Sequence, residues 1–393
     1  MSDAEPQLDS DGGAPAVGPR PWLLLAVVVV VVAACYAPVL GAPFIWDDQH
    51  LIESPLVKEL RPLGQYFAGS FWQHDDVGVL RTYYRPLVIL SLALDHRIFA
   101  DNPGGYHVTN LIVHLLTACV LFRLLRRDGA TGPVAAAGSA LWGLCPRLTE
   151  AAAWIAGRTD ALAGFFVLSA LLVHRQGSRL ARIGCATLLL LGLLSKETAL
   201  AGALAVMLAE VRSAGSALAR LRRAAPVLVA LGCYASLRVH AIGLLANALT
   251  LPVAKRAPAV AEAIGRYVWM LLTPWFPDAQ IGRMRVRSPG FVACGCVLFL
   301  LAIFLAYRSR ARLVGAAFEY FVLGVAALSL ALYAIPFSVS AVAADRFLYL
   351  PLAALTLLAT PLFAHWGARL RALPAVVLAL CASFGVATFF RAE

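Results

Sequence analysis

Two adjacent carboxylates, Asp47 and Asp48, stand in the segment Phe44-Ile45-Trp46-Asp47-Asp48, just after a long apolar run. Such a pair at a membrane edge suits a base that takes a proton from a hydroxyl, or a metal ligand. A base must hydrogen-bond the attacking group. The same residues also suit a helix cap, because Asp at a helix start accepts backbone N–H bonds. Cations follow further along. Arg85 precedes Pro86 and could hold a phosphate or snorkel to lipid headgroups. Glu150, Arg158 and Asp160 come from one turn. The fork of Arg158 matches phosphate oxygens, and Glu150 could orient an acceptor or a metal; a structural ion-pair cluster is the alternative. Lys196 lies between two short apolar runs, where it could meet a phosphate or simply pair with Glu197. Arg346 and Tyr349 open the segment DRFLYLP. They suit a second phosphate contact or an interfacial Arg with an aromatic belt.

His107, Asn110 and His114 fall at i, i+3 and i+7, on one face of a helix. They could touch a sugar or a carboxylate, or make the hydrogen bonds that polar residues form between membrane helices. Two His on one helix do not make a metal site without a third ligand. A divalent metal could sit with Asp47, Asp48 and Glu150, but these residues do not require one. The eight cysteines are scattered, most of them in apolar runs, with no CxxC pair. Neither a disulfide framework nor a zinc site is expected.

The elements that must position these groups are membrane helices. Of the 393 residues, 61% are hydrophobic and 14% charged, and the mean hydropathy is +0.77. Soluble domains average about 45–50% apolar and about 25% charged. This chain cannot cover itself with polar surface, so the class is an all-α, polytopic helical membrane protein. The net charge of +11 then reflects Lys and Arg on the cytoplasmic side, not binding of nucleic acid. Residues 1–20 read as a disordered cytoplasmic tail, and Trp22–Leu40 as an uncleaved first span, since its flank is acidic.

Arginine clusters orient the rest. Residues 41–105 form a first outer loop. Within it, Pro86–Phe99 has only 14 residues and carries Asp95, His96 and Arg97. It is expected to lie at the outer interface, because a span needs about 20 residues. Further spans follow at Tyr106–Arg126, Pro133–Leu148, Ala161–His174, Ile183–Leu194, Thr198–Val211, Val227–Val239, Phe291–Tyr307, Leu313–Tyr333, Phe347–Phe363 and Leu373–Phe389. Pro258–Pro277 is read as re-entrant or interfacial. The total is about eleven spans in one domain over residues 21–393. No soluble domain fits after the last one. On this topology most of the 22 acids face outside or sit near that edge. Charges there are costly unless paired or hydrated, and so they suggest function.

The stretches FIWDD, TYYRPLVILSLAL, GYHVTNLIVHLL, PRLTEAAAWIAGRTDAL, LSKETAL and DRFLYLP occur in this order over residues 44–351. Together they resemble the membrane portion of the transmembrane-and-tetratricopeptide-repeat O-mannosyltransferases and their bacterial relatives, which are GT-C glycosyltransferases. The resemblance covers roughly three quarters of the chain. It implies a polyprenyl-phosphate sugar as donor, a protein or glycan acceptor, and transfer on the outer face of a membrane (the inner membrane in a bacterium). It assigns the base to Asp47 or Asp48 and matches Pro86–Phe99 to a juxtamembrane helix. Arg158, Lys196, Arg346 and Arg85 become the donor-phosphate candidates. Glu150, Asp160, His107, Asn110, Glu197 and Tyr349 would contact acceptor or sugar, or support the site. Two departures stand out. Cys145 precedes Pro146 where the family has His, and no tetratricopeptide domain is expected after the last span. A flippase for a lipid-linked sugar, or a non-catalytic scaffold derived from the enzyme, are the alternative readings. A flippase would carry an inverted repeat and mid-membrane charges, and the sequence displays neither.

Overall fold

A computed structural model describes residues 20–72, 83–243, 253–275, 289–297, 316–334, 343–367 and 373–392. The tail over 1–19, the acids Asp75, Asp76, Asp278 and Glu393, and the arginines at 283, 285, 287, 308, 310 and 312 lie outside the described residues. So does most of the span expected at Phe291–Tyr307.

The described residues contain helices and no strand. The first is α1, Pro21–Tyr36, continued by a 3-10 turn to Gly41. Three short helices follow: α2 (Asp47–Ile52), α3 (Pro55–Lys58) and α4 (Leu63–Tyr66). Then come α5 (Pro86–Phe99), α6 (Pro103–Arg127), α7 (Gly132–Gly143), the single turn α8 (Thr149–Ala152) and α9 (Arg158–His174). The series continues with α10 (Arg179–Ser195), α11 (Leu200–Arg212), α12 (Ala217–Ile242), α13 (Val253–Leu272), α14 (Ala316–Ala334), α15 (Tyr349–Gly367) and α16 (Leu373–Ala392).

Local chemistry sets these limits. Proline opens α1, α5 and α6, a position whose N–H has no helical acceptor. Asn102 caps α6 by accepting from Gly104 N at 3.1 Å, and Ser178 caps α10 by accepting from Ala181 N at 3.0 Å. The expected span Val227–Val239 extends further than its apolar run. Ser216 accepts from Ala219 N and starts α12 at Ala217, so Arg220, Arg222 and Arg223 form its first turns instead of a loop. Arginine is a good helix former, and its charge does not end a helix.

Four helices among the described residues are long and apolar enough to cross a membrane: Pro21–Gly41, Pro103–Arg127, Ala217–Ile242 and Pro374–Ala392. Their lipid-type surface is evident in Val27, Val30, Ile112, Val229 and Leu378, all exposed. The protein is thus a helical membrane protein; the larger number of spans expected from the sequence goes beyond what these four helices establish. Helix α6 packs on α9, α9 on α10, α11 on α14, α14 on α15, and α1 on α16. An apolar cavity of about 770 Å³ runs between α1, α7 and α16, lined by Leu24, Val28, Ala136, Cys381 and Phe389 among others.

Charged contacts gather at the two ends of the bundle. One end carries residues 41–72 and 83–85 and is termed here the loop end. At the other, His174 pairs with Glu210 (3.1 Å), Glu210 with Arg223 (2.8 Å), and Arg175 with Glu319 (3.3 Å). Glu319 is thus a structural polar contact.

The loop end contains a very tight turn between α8 and α9. A Cβ on Gly157 would lie 2.4 Å from Glu150 O and 2.9 Å from Trp154 O. Backbone oxygens cannot step aside cheaply. Gly157→Ala is therefore expected to destabilise the turn by about 1–3 kcal/mol. Gly64, with nothing near its missing Cβ, should accept Ala within about 0.5 kcal/mol. Thermal unfolding of both variants in detergent checks the contrast.

Candidate functional site

At the loop end, an acid pair and a set of cations meet. The chain enters α2 through Trp46, whose φ of 49° and ψ of −118° put an aromatic residue in strained backbone. Trp46 and Ala100 are the non-glycine residues with positive φ among the described residues. Such positions cost of order 1–3 kcal/mol and need surrounding structure to hold them.

Asp48 supplies part of that hold. Its Oδ2 accepts from Ile45 N at 3.1 Å, and its Oδ1 from Ala156 N at 2.9 Å. The residue is wholly buried. Burial pushes its carboxyl up to about 6, against the pull of the two N–H donors. Asp48 thus ties the first loop to the α8–α9 turn. Asp47 is half-buried and keeps part of its surface on the open side.

The cations form a row, each with an acid. Arg346 pairs with Glu150 through both its guanidinium and its backbone N, the latter at 2.8 Å. Its guanidinium also lies over Trp154 (5.2 Å) and Phe347 (5.1 Å). Lys196 also lies over Phe347, with Nζ 4.8 Å from the ring centre, and pairs with Asp160. Arg85 donates to Glu197 at 3.1 Å and covers Tyr83 at 4.7 Å. Arg238 donates to the other Glu197 oxygen, also at 3.1 Å. Burial opposes charge on Glu197, but Arg85 and Arg238 together hold its carboxyl below the usual range. Burial pushes Lys196 down to about 8, with Asp160 acting in the opposite sense. Burial raises the Glu150 carboxyl, and Arg346 opposes this.

Two pairings differ from what sequence neighbours suggest. Lys196 turns to Asp160, not Glu197, because its extended backbone (φ −162°, ψ 145°) sends successive side chains to opposite sides. Arg158 meets Asp95 at 2.6 Å, not Glu150 or Asp160. Its remaining donors go to Asn110 Oδ1 (2.6 Å), the Tyr106 carbonyl (3.0 Å) and Ser91 Oγ (3.2 Å). With no exposed surface, this guanidinium is committed to protein partners. It joins α5, α6 and α9 beneath the row instead of standing in it.

The polar face of α6 is also turned inward. His107 donates from Nδ1 to Ala153 O (2.9 Å), and Asn110 donates to Trp154 O (2.8 Å). His114 donates from Nε2 to Gly143 O at 3.0 Å, which leaves Nδ1 to accept from Tyr349 Oη at 3.0 Å. Gly164 lets the Tyr349 ring approach α9, where a Cβ would come within 2.6 Å of it. These residues fix the positions of Trp154 and Arg346.

Sequence reading missed a second buried lock. Arg147 donates to Asp345 (3.0 Å), Met270 O (3.1 Å) and Thr273 O (2.7 Å). Arg391 reaches Asp345 (2.9 Å) and Pro146 O (2.6 Å). Cys145 is buried directly before this turn, which holds together through backbone carbonyls without a polar side chain at 145. Only the unusual Arg next to Pro146, in an otherwise apolar stretch, could have signalled the lock. Among the described residues, no three of His, Cys, Asp and Glu gather as a metal-binding group.

A half-exposed carboxylate can take a proton, and a row of shielded cations can neutralise an anion. Proteins of similar sequence are named as transferases. The chain is similar to a protein O-mannosyl-transferase of Caenorhabditis elegans, 30% identical over 185 residues, covering 45% of this chain and 26% of the relative. It is likewise similar to the Drosophila melanogaster protein O-mannosyl-transferase Tmtc2, 32% identical over 221 residues, 52% of this chain and 24% of the relative. A Homo sapiens protein O-mannosyl-transferase, TMTC3, is 28% identical over 157 residues, 39% of this chain and 17% of the relative. The resemblance to these mannosyltransferases is therefore real at the level of sequence, and it spans about a quarter or less of their length. No family model and no solved structure matches the chain.

Asp95→Ala would leave the buried Arg158 charge without its carboxylate. It should cost about 3–5 kcal/mol, seen as a lower unfolding temperature in detergent with no ligand present.

Proposed function

We propose that the chain is a membrane glycosyltransferase that moves a hexose, mannose in the first instance, from a polyprenyl phosphate to a hydroxyl on the outer face. The observation that carries this is the continuity of the row: Asp47 follows Trp46, Trp46 meets Trp154, and Trp154 lies under Arg346, beside Phe347 and Lys196. The similarity to protein O-mannosyl-transferases supports mannose as the sugar and a protein Ser or Thr as the acceptor. The domain would be GT-C-like, with about eleven spans over residues 21–393 and α5 as its juxtamembrane helix.

In this mechanism the acceptor oxygen attacks the anomeric carbon. The bond from that carbon to the phosphate oxygen breaks, and the configuration inverts. Asp47 takes the hydroxyl proton, as its partial exposure allows. Arg346 and Lys196, with Arg85 behind them, neutralise the phosphate as it leaves. They are already paired with acids, so the phosphate competes for cations that Glu150, Asp160 and Glu197 hold in place. Asp48 positions the loop, and Arg158 the scaffold beneath. No metal is needed for this scheme.

Transfer of labelled mannose from polyprenyl-phosphate-mannose, measured in membranes at matched expression, tests the reading. Asp47→Asn should lose about 100-fold or more in rate with its unfolding temperature unchanged. Asp48→Asn should lower the unfolding temperature, because an amide N–H would face one of the two backbone donors. Full activity in Asp47→Asn would remove the base from that residue. Uptake of the donor without transfer, in wild-type protein, would point to a flippase instead.

The pH profile gives a second check. Lys196 has its pKa lowered to about 8, so its charge is complete well below that pH and is lost above it. The KM for the donor should rise as the pH passes about 8 and level off once Lys196 is neutral, because Arg346 and Arg85 keep their charge. In Lys196→Arg, which stays charged, that alkaline rise should vanish.

A further inference from the structure

Trp46 has three properties that its role as an entry to α2 does not require. The residue is 53% exposed although the neighbouring Asp48 is buried. Its backbone sits at positive φ, while its side chain makes no capping bond. And it meets Trp154 edge-to-face, with centroids 5.6 Å apart and planes at 80°. A plain interfacial tryptophan needs none of the strain and none of the contact with Trp154. The strained backbone instead presents the ring beside Asp47, at the acid end of the cation row.

We infer that Trp46 is the platform for the donor's sugar ring, a subsite that takes the C–H face of a pyranose between the acid pair and the phosphate cations. This rests on the glycosyltransferase reading. A pyranose has a face of C–H groups that carry slight positive charge. An aromatic face carries negative charge in its quadrupole and attracts them. The order of groups fits one ligand laid along them. A phosphate between Arg346 and Lys196 leaves its sugar to run past Trp154, the ring under Arg346, toward Trp46. There the anomeric carbon comes within reach of a hydroxyl held by Asp47. Positive charge that builds on the sugar in an oxocarbenium-like transition state would also lie over an aromatic face, which favours cations. The platform therefore acts on both binding and rate.

The test compares binding of polyprenyl-phosphate-mannose with that of polyprenyl methyl phosphate, a bare lipid phosphate of the same single charge without the sugar, in detergent, for wild type, Trp46→Leu and Trp46→Phe. Leucine keeps an apolar side chain for the membrane edge but has no aromatic face. The wild type should bind the mannosyl lipid more tightly than the bare lipid phosphate. Trp46→Leu should lose most of that difference, about 2- to 10-fold for one aromatic face, with affinity for the bare lipid phosphate unchanged. Trp46→Phe should keep part of the difference, and the kcat for mannose transfer should follow the same order. If Trp46→Leu keeps the full difference, or if the wild type has none, the platform is refuted. A wild type that never transfers mannose but whose sugar-dependent binding is lost in Trp46→Leu would keep the platform and overturn the enzyme. An equal loss for both lipids would assign Trp46 to general folding or membrane seating, and would also refute the subsite.

Discussion

The cost of holding charge away from water governs the loop end. Arg158 has no exposed surface, and an isolated guanidinium there would be expensive. It is tolerable because Asp95, Asn110, Ser91 and the Tyr106 carbonyl all face it. Those partners come from α5 and α6, so satisfying one cation fixes two helices against the start of α9. The α8–α9 turn then lies where Ala156 can donate to Asp48, and where Trp154 lies under Arg346. The more open part of the site is thus set by a charge that does not itself reach the surface.

Similar logic divides the acids by depth. Asp48 is enclosed and anchored, while Asp47, one residue earlier, retains exposure. Glu150, Asp160 and Glu197 each hold a cation in the row, so the cations are not loose positive charge but members of pairs. Arg147, Asp345 and Arg391 form an equivalent pairing to the side and bind the start of α15 to α16. An anion bound at the row must exchange partners with these carboxylates, and a phosphomonoester dianion would do so more readily than a phosphodiester, which carries a single charge.

Much of this was legible in residue types. Pro86–Phe99 reads as a helix too short to cross, and α5 has those bounds, because proline, apolar spacing and interior charges are all local signals. The row was also foreshadowed: Arg85, Lys196 and Arg346 stand out as charges at the ends of apolar runs. What stayed hidden were partners far apart in the chain. Nothing near Lys196 points to Asp160, and nothing near Arg158 points to Asp95. Adjacent residues looked like natural pairs, yet backbone geometry directed them apart. Likewise, the start of α12 was misplaced because its first turns are basic and amphipathic, so hydropathy alone missed a helix that Ser216 caps. The acid pair offered two roles, base or cap; burial and hydrogen bonding separate Asp48 from Asp47, and no sequence pattern does so.

Tyr349 begins α15 three residues after Arg346, with its ring seated against Gly164 and its hydroxyl on His114, which also stacks on Trp142 at 5.0 Å. This seat leaves the adjoining turn almost no rotational freedom. Arg346 meets any incoming anion with most of its conformational entropy already surrendered during folding. The ordering cost of association therefore falls on the ligand, not on the protein, and ligands of different flexibility should differ in how much disorder they give up.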